Sequence, residues 1–383
     1  MARQPPRAAT SRRTTALAGV AAAAAATAAA LAAGRIGASA ALSLKYPAGF
    51  TGPPVTVRRV DDATVGLTRT AESTLPGCYG LTDGDVHAVI GPETADSPAG
   101  ARTVERQLAQ VTGAPLRPGR KLRVTPQIHV GTPGTALGLA YEDLTVLGEL
   151  GPLPAWYVPG ARDTWVLTAH GLGATREQAL CVLPFLRKLD LPVLVLTHRG
   201  DPGAPRTADG SGRLGRAEWV DLDAALRHAV GHGARRVVLY GWSSGAVMAL
   251  RTAAASPLKA RISGLVLDSP VLDWRATVAA LAVARGLPAP LRRLAVLAAE
   301  ERTGLGSTPD GNDLWPGPGA PQTLLVHGPD DTVAPWEASR ALAAAHPDRI
   351  HLYPVPYARH AAMWNADPVG YEEALRRFLT PLL

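Results

Sequence analysis

From residue 164 onward, short apolar runs alternate with helical stretches, and few architectures can bury such a pattern. The runs are 165–168 (WVLT), 193–196 (VLVL), 237–240 (VVLY), 264–267 (GLVL) and 323–326 (TLLV). Between them lie helix patterns near 175–189, 217–231, 245–255 and 337–346. A strand that is apolar without alternation is buried on both faces, so the pattern predicts an α/β chain. Its central sheet is expected to be mostly parallel, with helices on both faces. Ligands of such sheets bind beyond the C-terminal strand ends, so residues directly after a strand carry the functional expectations. Residues 273–318 break the alternation. They are rich in Ala, Leu and Arg, are expected to hold two or three helices, and read either as a lid over the strand ends or as a surface excursion.

Upstream the rhythm differs. Patterns such as 55–60 (VTVRRV) and 85–90 (DVHAVI) alternate with a period of two, and predict an N-terminal β-rich extension over 41–135. A hairpin over 136–158, turning at a Gly-Pro-Leu-Pro segment, opens the second unit, 136–383.

The first 40 residues are a leader. Arg3, Arg7, Arg12, Arg13 and Arg35 lie there with no acidic residue, and residues 16–33 form an alanine-dominated apolar run. A basic segment before such a run reads as a signal peptide or as a membrane attachment through residues 14–34. Ala38-Ser39-Ala40 offers a small-residue cleavage site, and Ser11-Arg12-Arg13 faintly resembles a twin-arginine signal. The catalytic part is therefore expected outside the cytoplasm. The leader also explains the net charge of +7, since the rest of the chain carries 34 basic against 32 acidic residues. That balance gives a nucleic-acid partner no compositional support, and none is expected.

Only Cys78 and Cys181 are cysteines. Neither belongs to a CxxC pair, and separate buried thiols are the simpler expectation than one disulfide. No HExxH, EF-hand or P-loop pattern occurs, so no metal or cofactor is expected.

The chemistry concentrates in four segments. Gly241-Trp242-Ser243-Ser244-Gly245 matches G-x-S-x-G and stands between a strand pattern and a helix pattern, the setting that a nucleophile elbow requires. Ser243 is the central residue. Ser244 replaces it only if the register is misread. A serine hydroxyl attacks only when a base takes its proton, and His360, in a loop after the strand-like 350–353 segment, is the candidate. The orienting acid is expected between them in the chain. Asp331, after the 323–326 strand, is the choice, with Asp330 and Asp268 as competitors. An oxyanion needs backbone N–H donors, for which Ser244, next to the nucleophile, and Leu172, in the His170-Gly171-Leu172-Gly173 loop, are suited. His170 reads as a structural residue of that loop.

With these four segments in order, the chain resembles the α/β-hydrolase superfamily from residue 164 to the end. A wider pattern resembles a group of actinobacterial α/β-fold serine hydrolases, distantly similar to Bem46-like hydrolases. It includes residues 78–81 (CYGL), 197–200 (THRG), 215–219 (GRAEW) and 267–270 (LDSP). The resemblance implies an α/β-hydrolase fold, on which the 273–318 insertion is expected to form a helical cap, together with a Ser243–Asp331–His360 triad and oxyanion donors at Leu172 and Ser244. One departure stands out: such enzymes often carry GxSxGG with Met or Gln after the serine, where this chain has Ser244 and Ala246. A backbone donor survives that change.

The expected activity is hydrolysis of a small-molecule carboxylic ester, as a carboxylesterase or lipase performs it, through an acyl-enzyme. The rivals are an exported peptidase of prolyl-oligopeptidase type, an acyl transferase, and a non-catalytic binding protein on a hydrolase fold.

Overall fold

The computed structural model describes residues 44, 46–95, 101–207, 212–304, 306 and 311–383. The expected leader, with the attachment segment and cleavage site read from it, lies outside the described residues. Among the described residues no helix is long and apolar enough to cross a membrane.

Six strands come first: β1 (Val55–Val60), β2 (Thr64–Thr68), β3 (Tyr79–Thr82), β4 (Val86–Glu93), β5 (Thr103–Gly113) and β6 (Lys121–Thr125). They pair in the order β1-β2-β5-β4-β3-β6, and β6 returns to β1, closing an antiparallel barrel. Closure follows from period-two side chains. Along β4, Val86, Ala88 and Ile90 point inward while His87 and Val89 are partly exposed. Phe50, Val57, Leu67, Leu81 and Leu122 fill the interior with them. A buried arginine, Arg106, donates to the carbonyls of Gly91, Ser73, Leu75 and Gly77 at 2.6–2.9 Å. It thereby holds the 73–77 segment against the barrel.

The remaining strands are β7 (Glu142–Leu147), β8 (Pro152–Val158), β9 (Thr164–Ala169), β10 (Val193–Leu196), β11 (Arg236–Trp242), β12 (Ile262–Asp268), β13 (Gln322–His327) and β14 (Ile350–Pro354). They form one sheet in the order β14-β13-β12-β11-β9-β10-β8-β7. Pairing is parallel from β14 to β10, while β8 is antiparallel to both β10 and β7. Successive strand residues feed opposite layers. Leu167, Leu239, Leu265 and Leu325 join the core on one face, and Val166, Val238, Val266, Leu324 and Val326 the core on the other. The longer helices are α1 (Trp219–Gly231), α2 (Ser244–Ala255), α3 (Trp274–Ala284), α4 (Ala289–Thr303), α5 (Trp336–Ala345) and α6 (Pro368–Leu379). The first three pack their buried faces on one side of the sheet, and α6 lies on the other.

One local departure from the expected pattern has a physical reason. The 175–189 stretch is two pieces, a 3-10 turn (Arg176–Cys181) and a helix (Leu183–Lys188). Pro184 sits in the first turn of the second piece, and it lacks the N–H that a helix running through from Leu180 requires. The 273–318 stretch contains α3, α4 and a short turn. Trp274, Val278 and Leu281 of α3 are buried in the main core.

Candidate active site

Ser243 occupies the turn between β11 and α2 with φ +53° and ψ −114°. A non-glycine residue held at positive φ is strained, and the strain is tolerated because the surroundings demand it. A Cβ on Gly241 would collide with Gly245, and one on Gly245 with the carbonyl of Ala169. Only glycines let strand, turn and helix approach this closely. Ser244 is the first residue of α2.

The structure brings Ser243, His360 and Asp331 together. His360 Nε2 lies 2.7 Å from Ser243 Oγ, and His360 Nδ1 lies 2.7 Å from Asp331 Oδ2. The carboxylate therefore accepts a hydrogen bond from Nδ1–H, and Nε2 is left to accept the serine proton. Asp331 accepts three further hydrogen bonds, from His327 Nε2 at 3.0 Å and from the N–H groups of Val333 and Ala334 at 2.8 and 2.9 Å. Burial pushes this carboxyl up. The charge of His360 and the hydrogen bonds from both histidines outweigh burial and hold it well below the usual carboxylate range. The competitors sit elsewhere. Asp330 accepts from Tyr357 N–H at 2.6 Å. Asp268 is fully buried at the end of β12 and accepts from Ser269 Oγ at 2.8 Å and Tyr371 Oη at 3.0 Å. Burial raises Asp268 to about 7 despite those two bonds.

The His170–Gly173 loop lies against the serine. A Cβ on Gly171 would stand 2.8 Å from Ser243 Cβ. His170 is buried and fixed by Asp201, whose Oδ2 lies 2.7 Å from Nε2 and also accepts from His198 N–H at 2.9 Å. Burial lowers the His170 pKa, but the Asp201 charge reverses this and leaves it raised. Burial likewise pushes Asp201 up, and the two histidines bring it down to about 2. His170, His198 and Asp201 are also the described group whose donor atoms are close enough to suit a metal. However, the two imidazoles stack at 4.2 Å with 19° between planes. Asp201 Oδ2 lies 2.7 Å from His170 Nε2 and 3.6 Å from His198 Nδ1, so the carboxylate braces the stacked pair.

Residues 46–50 cross above the site: Ala48 N–H donates to Leu172 O at 3.2 Å, and Gly49 packs on His360. Beside Leu172 and Ser244 lies a cavity of about 580 Å³, with Leu44, Leu172, Leu214 and Met248 among its apolar lining. Trp364, near His360 in sequence, packs into the core and donates to Glu372. The described lining of the cavity includes no residue of 273–318. Sequence reasoning missed His327 and the buried Gln178. His327 is the last residue of β13, at the strand end where the functional residues lie, and that placement was the available signal.

A family model described as a domain of unknown function (DUF8805) matches residues 56–125, the barrel. No curated protein matches the chain. Among solved structures the chain is similar to an esterase of Pyrococcus furiosus, Pf2001. The identity is 22%, with 66% of this chain and 94% of that one covered, at a TM-score of 0.53. Another crystal form of that esterase gives 20% identity, 66% and 96% coverage, and a TM-score of 0.53. At this identity the likeness speaks for the fold, which is that of the α/β hydrolases, here carrying an additional N-terminal closed barrel.

Proposed function

We propose that this protein is a serine hydrolase that cleaves a small-molecule carboxylic ester, with Ser243 as nucleophile, His360 as general base and Asp331 as orienting acid. One observation carries the reading: a single imidazole bridges the serine of a strained strand–helix turn and a buried carboxylate, at 2.7 Å on each side. In this mechanism Ser243 Oγ attacks the acyl carbon while its proton passes to His360 Nε2, and the carbonyl oxygen becomes an oxyanion. The N–H groups of Leu172 and Ser244 are the donors we assign to it. Collapse breaks the ester C–O bond, and His360 returns the proton to the departing alcohol. Water then enters by the same route, giving up a proton to His360 and freeing the acid from Ser243.

The cavity supports an ester of moderate hydrophobicity over a peptide held by its amine terminus. Its described carboxylates are already engaged, Asp201 with the histidines and Glu218 with the N–H groups of Arg213, Gly215 and Ala217. The resemblance to actinobacterial α/β-fold serine hydrolases supports the same assignment. We further propose that the leader exports or tethers the catalytic part outside the cytoplasm, a reading that rests on its arginines and alanine run. The test is turnover of p-nitrophenyl acyl esters and of peptide p-nitroanilides by wild type and Ser243→Ala. Ester turnover that vanishes in the variant is expected. Turnover of peptides alone, or ester turnover surviving in Ser243→Ala, overturns the proposal.

A further inference from the structure

The two loops that meet at Ser243 come from distant parts of the chain, and one buried side chain joins them. Gln178, 8% exposed, lies on the 3-10 turn after the His170–Gly173 loop. Its Oε1 accepts from Gly171 N–H at 2.8 Å, and its Nε2 donates to Ala361 O at 3.3 Å. The partners fix the amide orientation, since a backbone N–H needs the oxygen and a carbonyl needs the nitrogen.

Both contacts fall one residue from a group that the proposed mechanism uses. Gly171 shares a peptide unit with Leu172 N–H and lies against Ser243 Cβ. Ala361 follows His360 directly and is held at φ +53°. Its N–H is pinned from the other side by Ser269 Oγ at 3.0 Å. Ser269, also at positive φ, bonds in turn to Asp268. The peptide units around Ala361 are thus gripped at both their N–H and their C=O ends, and Gln178 ties that grip to the oxyanion loop.

We infer that Gln178 is a positioning residue that sets the spacing between the oxyanion donors and the imidazole of His360. The inference rests on the serine-hydrolase reading above. A strut of this kind acts on reaction geometry more than on ground-state binding, because a displacement near 1 Å at reacting groups costs about 100-fold in rate. Replacement by Met keeps the volume and removes both bonds. Replacement by Glu keeps the acceptor for Gly171 but sets a carboxylate against the Ala361 carbonyl. Protonation of that carboxyl restores a donor, so the damage should lessen as pH falls.

The experiment measures the rate at which a fluorophosphonate labels Ser243 in wild type, Gln178→Met and Gln178→Glu between pH 5 and 9, with thermal melts alongside. Steady-state constants for a p-nitrophenyl ester are measured in parallel. The expected result is labelling and kcat about 10- to 100-fold lower in Gln178→Met with KM within about twofold of wild type. The rate of Gln178→Glu relative to wild type should rise toward low pH, a signature that packing damage or partial unfolding does not produce. Labelling of both variants at the wild-type rate overturns the strut while leaving the serine hydrolase intact. So does a Gln178→Glu deficit that is constant with pH. Wild type that is not labelled at Ser243 overturns the parent reading and the strut with it.

Discussion

The Asp331 carboxylate accepts four hydrogen bonds, two from imidazoles on Oδ2 and two from backbone N–H groups on Oδ1, and every one constrains what can replace it. In Asp331→Asn the backbone donors hold the amide oxygen, so the NH₂ group faces His360 Nδ1 and forces the imidazole proton onto Nε2. The base then has no lone pair for the serine. Ester kcat should fall by about 10⁴ with the melting temperature little changed, measured by steady-state kinetics and calorimetry. Asp268 behaves oppositely. Its carboxyl titrates near 7 when folded against 3.8 for the ordinary group, so the folded protein binds the extra proton. This contribution is full below about pH 4 and is lost as pH rises through 7, amounting to about 4 kcal/mol. Asp268→Asn removes the titration. Its melting temperature relative to wild type should climb from pH 5 to pH 8, and parallel profiles would contradict the assignment. Ser243, His360 and Asp331 were legible in the sequence because each follows a strand-like run at the edge where ligands bind. Gln178 was not. Its partners lie 7 and 183 residues away, and a glutamine in a helical pattern reads as a solvated side chain.

At the scale of elements, the sheet was legible because its strands are buried on both faces and therefore appear as unbroken apolar runs. β9 is buried at all six positions. The barrel was legible only as scattered short strands. Closure depends on β5, whose sequence TVERQLAQVTG is exposed along most of its second half, and on Arg106, which composition alone assigns to the surface. That side chain is 0% exposed, and its four carbonyl partners would be orphaned by Arg106→Met. Urea unfolding should report a loss of about 3–5 kcal/mol, with Arg106→Lys intermediate because an ammonium cannot span the same fork. A loss under about 1 kcal/mol would show that the 73–77 segment is held by other means. In the elbow, Gly245→Ala forces a methyl into the Ala169 carbonyl and should abolish fluorophosphonate labelling, either through misfolding or through displacement of Ser243.

Across the whole molecule, the barrel and the α/β portion are joined by contacts at the candidate site. Ala362, two residues past His360, is buried in the barrel core. Asn365 donates to the carbonyls of Cys78 and Pro126 at 2.9 and 2.8 Å, and the 46–50 segment crosses both Leu172 and His360. A chain beginning at residue 136 should therefore aggregate or lose ester turnover, checked by size exclusion and kinetics. A stable, active fragment would show the barrel to be an appendage. The role of Ser243 as nucleophile is decided by the intact mass of the protein after fluorophosphonate treatment, wild type beside Ser243→Ala. One adduct on wild type and none on the variant is the expected result. An unlabelled, folded wild type, or an adduct that persists in Ser243→Ala, would contradict it.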